Sequence, residues 1–364
     1  MKIMTVVGTR PEIIRLSCVI PKVDAHFDQV LVHTGQNYDY ELNQVFFDDL
    51  GLREPDRYLA VDTSSVGRVY GEVIIKTEEV LIEEQPDALL VLGDTNSAIA
   101  AVMARRMAIP IFHMEAGNRC FDWRVPEEMN RRIIDHISNY NLVYTEHARR
   151  NLLNEGVHAA SIIRTGSPMN EVLAQHRHSI DAATAVEDLG LTQGEYYLVS
   201  LHRQENVDDE ASCRSLFEAL FQLSERDQMP VIVSTHPRTR ARLETFGLHE
   251  TELVRFLKPF GFHDYNKLQL DARVVISDSG TISEEASLLG FPAVSPRTAT
   301  ERPEGVDNGV FVLGQRDTEG MLRAIDIVAA AADNGYVAPV PVDYLVQNTS
   351  DIVVRALAAI APRT

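Results

Sequence analysis

Residues 88–114, ALLVLGDTNSAIAAVMARRMAIPIFHM, decide the fold. Ala88 to Gly93 is an apolar run of strand length. In Ser97 to Met107 the apolar residues recur three and four apart, as on one face of a helix, and Pro110 to Met114 is apolar again. A strand, a helix and a second strand in so short a span make a β-α-β unit with parallel strands.

The same alternation continues in both directions. Strands are predicted at Lys2 to Val7, Gln29 to Thr34 and Leu142 to Thr145, with helices at Tyr40 to Leu50 and Gly67 to Glu83. The pattern then restarts, with strands at Tyr196 to Ser200, Val231 to Ser234, Leu253 to Leu257, Val274 to Ser277 and Ala293 to Ser295. The intervening helices are Glu210 to Leu223, Arg238 to Phe246 and Ile282 to Leu288. At 364 residues the chain has length for two domains, each with its own core. The polar passage from Ser167 to Gly194 is the natural boundary. We therefore expect an α/β protein with an N-terminal domain over 1–170 and a second over 171–348. The helical segment from Thr349 to Ile360 can pack on either half, and we expect residues 349–364 to return to the first.

Composition narrows the function. Hydrophobic residues at 45 % and charged residues at 24 % are ordinary for a folded protein. A net charge of −19 argues against broad binding to nucleic acid or an anionic membrane, which needs an excess of Lys and Arg. Apolar stretches such as Asp87 to Gly93 fall far short of the ~20 residues that span a bilayer. Met1 to Val7 runs straight into Thr9 and Arg10, without the apolar core of a secretory signal. Cys18, Cys120 and Cys213 are widely spaced and form no Cys-x-x-Cys pair, so a disulfide framework or thiolate metal site is not expected and a reducing cytoplasm fits best.

In open parallel sheets, ligands bind beyond the carboxyl ends of the strands, and several ends here are chemically unusual. The first strand runs into Gly8-Thr9-Arg10-Pro11-Glu12, where Arg10 beside free helix amides is either a phosphate ligand or a surface residue after a tight turn. A Gly-x-Gly-x-x-Gly nicotinamide fingerprint is missing from this turn. Ser277-Asp278-Ser279-Gly280-Thr281 opens a helix carrying Glu284 and Glu285; it reads as a diphosphate site with a ribose ligand at Glu285, or as an ordinary capped helix. Asp94, Glu115 and Glu127 follow neighbouring strands. One carboxylate would be a cap or an arginine partner, but three together can tune one another as proton-transfer groups. His202 has the equivalent position in the second half. His113, His236 and His263 lack tight metal spacing, so no metal is expected. No Gly-x-Ser-x-Gly elbow is present. Trp123 is a packing residue or a substrate platform.

Taken together, the motifs resemble those of the non-hydrolysing UDP-N-acetylglucosamine 2-epimerases. The resemblance spans nearly the whole chain. It rests on Gly8-Thr9-Arg10-Pro11-Glu12, Thr34-Gly35-Gln36, Gly93-Asp94-Thr95, His113 to Gly117, Pro126-Glu127-Glu128 with Asn130-Arg131, His202-Arg203, Asp278-Ser279-Gly280 and Glu301-Arg302-Pro303-Glu304. It implies a GT-B fold, two Rossmann-like domains whose parallel sheets face a central cleft, with no cofactor and a homodimeric state. By the same resemblance Arg10, Ser279, Gly280, Thr281 and Glu285 bind UDP, and Asp94, Glu115, Glu127 and His202 surround the reacting sugar. Arg15, Asn118, Arg119, Asp122 and His236 are expected to shape the sugar site. Three residues depart from the family pattern: Arg15 replaces a usual lysine, Asn37 a histidine and Thr281 a glycine. The runs Asn118 to Asp122, Gly261 to Asn266 and Asp278 to Ile282 instead resemble the UDP-N-acetyl-L-fucosamine synthases, which invert C2 of UDP-2-acetamido-2,6-dideoxy-L-talose for surface polysaccharides such as O-antigen or capsule.

The hydrogen on C2 of such a sugar is not next to a carbonyl, so departure of UDP from C1 must make it acidic, and the family resemblance implies a 2-acetamidoglycal. Inversion needs proton donors or acceptors on both faces of C2. We expect Glu127 and Asp94 to be that pair, with Glu115 and His202 orienting sugar or phosphate. Other readings are UDP-N-acetylglucosamine/UDP-N-acetylmannosamine epimerisation, a GT-B glycosyltransferase, or a catalytically silent UDP-sugar sensor.

Overall fold

A computed structural model of the chain describes residues 1–35 and 40–360, with side chains given from residue 45 in the second stretch. Gln36 and Asn37, one family marker and one departure, lie outside the described residues. The chain divides into two compact units. The first is Met1–Gln175 together with the segment that begins at Val342, and the second is His176–Pro341.

Among the described residues, the first unit holds seven strands: β1 (Lys2–Val7), β2 (Asp28–His33), β3 (Arg57–Tyr58), β4 (Ala88–Leu92), β5 (Ile111–Met114), β6 (Tyr140–Val143) and β7 (Ile162–Arg164). They run in the order β3-β2-β1-β4-β5-β6-β7, and every neighbouring pair is parallel. β4 is buried along its whole length, as a strand covered on both faces must be, and this is why 88–92 reads as an unbroken apolar run. Ser65 caps the Val66–Glu84 helix by accepting from the Arg68 amide. Val69, Val73, Val80 and Leu81 on that helix pack on the strands, at about 1.5–3 kcal/mol for each large apolar side chain fully buried.

The second unit repeats the plan with β8 (Tyr197–Ser200), β9 (Val231–Ser234), β10 (Val254–Leu257), β11 (Val274–Ser277), β12 (Ala293–Ser295) and β13 (Phe311–Leu313), in the order β10-β9-β8-β11-β12-β13. All of these pairs are parallel too. In each unit the strand order reverses beside the first strand, between β1 and β4 and between β8 and β11. Each sheet therefore has a topological switch point, where the loops after two neighbouring strands diverge and leave room for a ligand.

Three strands escape the sequence reading: β3, β7 and β13. All are two or three residues long and lie at sheet edges, and their mixed burial leaves neither an alternating nor a continuous apolar signal. The passage read as a boundary, Ser167 to Gly194, contains the helices Met169–Ala182 and Ala185–Asp188. The division between units falls inside the first of these. The Thr349–Ala358 helix packs on Val19–His26 in the first unit. There Ser350 donates to Glu171 Oε2 from its amide at 2.9 Å, and Lys22 pairs with Asp351 at 2.7 Å. No helix among the described residues is long and apolar enough to cross a membrane.

Candidate active site

At the switch point of the first unit, β1 ends in Gly8. Thr9 and Glu12 form a capping box at the start of the Arg10–Leu16 helix, with Pro11 in its first turn. Arg10 is half-buried, its guanidinium 5.6 Å from the Phe46 ring centre. Across the switch point, Gly93 turns the chain after β4 with φ of 70°, in the left-handed region, and delivers Asp94. Arg131, almost wholly buried, donates to Asp94 Oδ2 through Nε at 2.9 Å and again through Nη2. The other arm of Arg131 reaches Glu128 Oε2 at 2.8 Å. Asn130 holds the same loop, donating to the Asp94 carbonyl at 2.8 Å and accepting from the Tyr70 hydroxyl.

Glu127 and Glu128 open the Pro126–Ile137 helix, where acidic side chains meet the positive end of the helix dipole. They separate by function of environment. Glu128 is fully buried and bonded to Arg131, Arg132 and the Cys120 amide, whereas Glu127 is half-buried. Glu127 lies near enough to Tyr70 that its charge helps push the Tyr70 hydroxyl pKa up, after the larger effect of burial.

β5 leads to Glu115, a non-glycine residue with φ of 63°. Such a backbone costs about 1–3 kcal/mol and persists where surrounding contacts enforce it. Here Arg15 makes an ion pair with Glu115 Oε2, and the Asn118 amide reaches Oε1 at 3.4 Å. Gly117 then turns with φ of 80°; a Cβ there would lie 2.4 Å from the Ala148 carbonyl, so glycine is required. Arg119, expected at the sugar, instead has its guanidinium buried between Asp135 at 2.6 Å and Glu155 at 2.6 Å. Asp135 also accepts from the Gly117 amide at 3.1 Å, so this pair holds the turn that presents Glu115 and Asn118. Asp122 pairs with Arg124 of the same loop at 2.7 Å. Trp123 is 70 % exposed and Phe121 69 % exposed, so neither is core packing; Arg132 lies 5.1 and 5.8 Å from their ring centres.

In the second unit β8 leads to His202 and β11 to Asp278. Asp278 is completely buried and accepts from the His202 amide at 3.1 Å, the Arg203 amide at 3.0 Å and the Asn206 side chain at 2.9 Å. Its carboxylate also sits 3.0 Å from His202 Nδ1. His202, nearly half exposed, is thereby oriented by a buried anchor. Ser279 and Thr281 share a hydroxyl contact of 2.9 Å, with Gly280 between them. A Cβ on Gly280 would come within 2.6 Å of Glu301 Oε1, so the turn fits only glycine without displacing Glu301. Glu285 is buried in the first turn of Ile282–Leu289 and accepts from Gln269 at 2.7 Å. His236, half-buried at the carboxyl end of β9, caps the Pro237–Thr245 helix.

Burial alone would raise the Asp278 pKa, but the His202 charge and side-chain contact, with Asn206 and the Arg203 amide, hold it at about 2. Its folded value lies below the ordinary 3.8, so the folded state binds fewer protons. The stability from this group is complete above about pH 4 and is lost as pH falls through about 2, at about 2 kcal/mol in all. We expect the urea midpoint to fall between pH 4 and pH 2.5 by less in Asp278→Asn than in the wild type. An equal fall in both would contradict this.

The structure thus places Arg10, Asp94, Glu115 and Asn118 in the segments after β1, β4 and β5 of the first unit, with Arg15 on Glu115 and Glu127 opening the helix that carries Arg131, and it places His202, His236 and Ser279 to Glu285 after β8, β9 and β11 of the second. Sequence reasoning missed the supports: Glu12, Tyr70, Asp135 and Glu128 in the first unit, Asp278 as an anchor in the second. Glu12 and Asp278 were findable, the one as the N3 acid of a capping box and the other as a carboxylate directly after a strand. Tyr70 lies in the second turn of its helix and Asp135 in the last turn of its own, and neither carries a local signal. No group of three or more His, Cys, Asp or Glu suited to a metal ion occurs among the described residues.

Two units of parallel sheet, with polar groups at the carboxyl ends beside each switch point, define an α/β protein of the GT-B type. Residues 21–358 match the family model described as UDP-N-acetylglucosamine 2-epimerase. A UDP-N-acetylglucosamine 2-epimerase structure from Rickettsia bellii is 46 % identical, with a TM-score of 0.92, covering 99 % of this chain and 96 % of that one. A Methanocaldococcus jannaschii UDP-GlcNAc 2-epimerase, solved with UDP-GlcNAc and UDP, is 33 % identical with a TM-score of 0.92, covering 98 % of this chain and 99 % of its own. The UDP-2,3-diacetamido-2,3-dideoxy-D-glucuronate 2-epimerase of Pseudomonas aeruginosa is 36 % identical over 86 % of this chain and 88 % of that protein. The chain belongs to the UDP-N-acetylglucosamine 2-epimerase family and is an isomerase, a non-hydrolysing UDP-sugar 2-epimerase.

Proposed function

We propose that the chain epimerises UDP-2-acetamido-2,6-dideoxy-L-talose at C2 to give UDP-N-acetyl-L-fucosamine. One carboxylate removes the C2 proton; the C–H electron pair becomes the C1–C2 double bond of the glycal, and the C1–O pair leaves with UDP. Proton delivery to the other face of C2 and return of UDP to C1 complete the inversion. Glu127 and Asp94 are the proton-transfer pair, Glu115 and His202 orient sugar or phosphate, and Arg10 with Ser279, Gly280 and Thr281 stabilises the departing diphosphate. Glu285 takes the ribose diol. Arg15, Asn118, Asp122 and His236 shape the sugar site, and Arg119 serves it by holding the turn.

The observation that carries this choice of sugar is the cluster on Glu115. Arg15, which departs from the N-acetylglucosamine pattern, and Asn118, which belongs to the L-fucosamine pattern, both meet that one buried carboxylate. Two distinctive residues thus alter the same side chain. The second reading, UDP-N-acetylglucosamine to UDP-N-acetylmannosamine, is favoured by the names of the relatives. Offering both UDP-sugars to the purified protein decides between them: turnover of the L-talo substrate at a kcat/KM at least about tenfold higher supports the first reading, and the reverse order overturns it. Release of UDP in step with consumption of an acceptor would instead indicate a glycosyltransferase.

The same reading assigns the enzyme to the cytoplasm, as a homodimer, in the supply of precursors for surface polysaccharide. Cys18, Cys120 and Cys213 are free thiols, which suits a reducing compartment.

A further inference from the structure

Glu12 is 1 % exposed and uses both carboxyl oxygens in bonds to two different turns. Oε2 accepts from the Gly8 amide at 2.9 Å, the Thr9 amide at 2.7 Å and the Thr9 hydroxyl at 2.9 Å. Oε1 accepts from the Thr95 hydroxyl at 2.7 Å. The first three donors belong to the turn after β1, which leads into Arg10; the fourth belongs to the turn after β4, which carries Asp94. A capping box needs only the contact with Thr9. The bond to Thr95 spans 83 residues of sequence and adds nothing to the helix.

The surroundings leave these turns little slack. A Cβ on Gly8 would fall 2.0 Å from Thr34 Oγ1 and 2.1 Å from Ser97 Oγ, and those two hydroxyls are themselves 2.9 Å apart. Keeping a carboxyl group in such a place costs free energy that a helix cap alone does not require. Burial pushes the Glu12 pKa up to about 7, against the lowering effect of Thr95, Thr9 and Gly8.

We propose that Glu12 is a positioning residue of the epimerase reaction, clamping the turns after β1 and β4 onto one carboxyl group and so fixing the separation of Arg10 and Asp94. This rests on the roles proposed above for those two residues. A glutamine can reproduce the clamp, its carbonyl accepting from the Gly8 and Thr9 amides while its Nε2 donates to the Thr95 hydroxyl. An alanine cannot.

The test compares Glu12→Ala, Glu12→Gln, Thr95→Val and the Glu12→Ala/Thr95→Val double variant. Glu12→Ala and Thr95→Val should each lower kcat about 10²-fold, as misplacement of reacting groups does, while KM changes about threefold or less. The double variant should be no worse than the worse single, and Glu12→Gln should return kcat to within about fivefold of wild type. Amide hydrogen exchange on the same proteins without substrate should show both the Gly8–Thr9 and the Gly93–Ser97 segments exchanging faster in Glu12→Ala, and both protected in Glu12→Gln. Additive losses in the double variant, or an unchanged kcat in Thr95→Val, would reduce Glu12 to a helix cap and overturn the proposal. If Glu12→Ala does not fold, Thr95→Val is read by exchange, because it also removes the hydroxyl that caps the Ser97 amide at 3.2 Å: loosening that extends to Gly8–Thr9 supports the clamp, and loosening confined to Gly93–Ser97 overturns it. If the wild type turns over no UDP-sugar, the functional reading fails, and exchange alone decides the clamp: loosening confined to Gly8–Thr9 overturns it.

Discussion

Glu127→Gln is expected to lower kcat by ~10²–10⁴-fold, the usual contribution of a general acid–base group, while UDP still binds with an affinity within about threefold of wild type. Two observations make this the cleanest catalytic test. Glu127 is half-buried at the first turn of its helix, so an isosteric amide fits the same space. Its neighbour Glu128 carries the structural bonds to Arg131, Arg132 and the Cys120 amide, and these survive the change. Calorimetry for UDP and a steady-state assay on the same preparation separate loss of chemistry from loss of binding. A variant with near-normal kcat would remove Glu127 from the proton-transfer pair. Asp94→Asn is less clean, because Asp94 takes two bonds from the buried Arg131 and the substitution strikes the fold as well as the chemistry proposed for Asp94.

The largest effect on stability is expected from Arg131→Met. Arg131 is 2 % exposed and divides its guanidinium between Asp94 and the fully buried Glu128. Removing one partner of a buried ion pair leaves the other charged and unpaired, which costs about 3–5 kcal/mol. The remaining contacts of Glu128 with Arg132 and the Cys120 amide place the loss at the lower end of that range. Denaturant unfolding measures it directly. Turnover should also fall at temperatures where the variant remains folded, because Asp94 loses the group that orients it. Arg131→Lys should recover little, since an ammonium cannot supply the forked pair of bonds that Asp94 receives. A variant of wild-type stability would show the network to be dispensable.

The fold is legible in the sequence through its buried elements. β1, β4, β8 and β11 are covered on both faces and therefore leave continuous apolar runs, and they are the strands that flank the two switch points. The edge strands β3, β7 and β13 are short and partly exposed, so no periodicity marks them. Met169–Ala182 was hidden for a different reason: its polar face made a long helix resemble a linker.

For the candidate sites, residues directly after a strand are legible because parallel topology sets them at the carboxyl ends of their own sheet: Asp94 and Glu115 in the first unit, His202 and the Ser279 turn in the second. Partners supplied from elsewhere in a helix or loop are not. Asp135 and Arg119 are far apart in local pattern, and only the folded turn at Gly117 shows that they act as one support. Arg119, expected at the sugar from its place in the Asn118 to Asp122 run, has its guanidinium buried between two carboxylates. In contrast, the two carboxylates of the Pro126-Glu127-Glu128 motif look alike in sequence, and burial separates them into a structural acid and a candidate for chemistry.

Inversion by the proposed route requires a proton to leave C2 and a proton from solvent-exchanging groups to take its place on the other face. Turnover in heavy water tests this most directly. Each product molecule should carry deuterium at C2; a product that keeps its original C2 hydrogen would rule out proton exchange at C2.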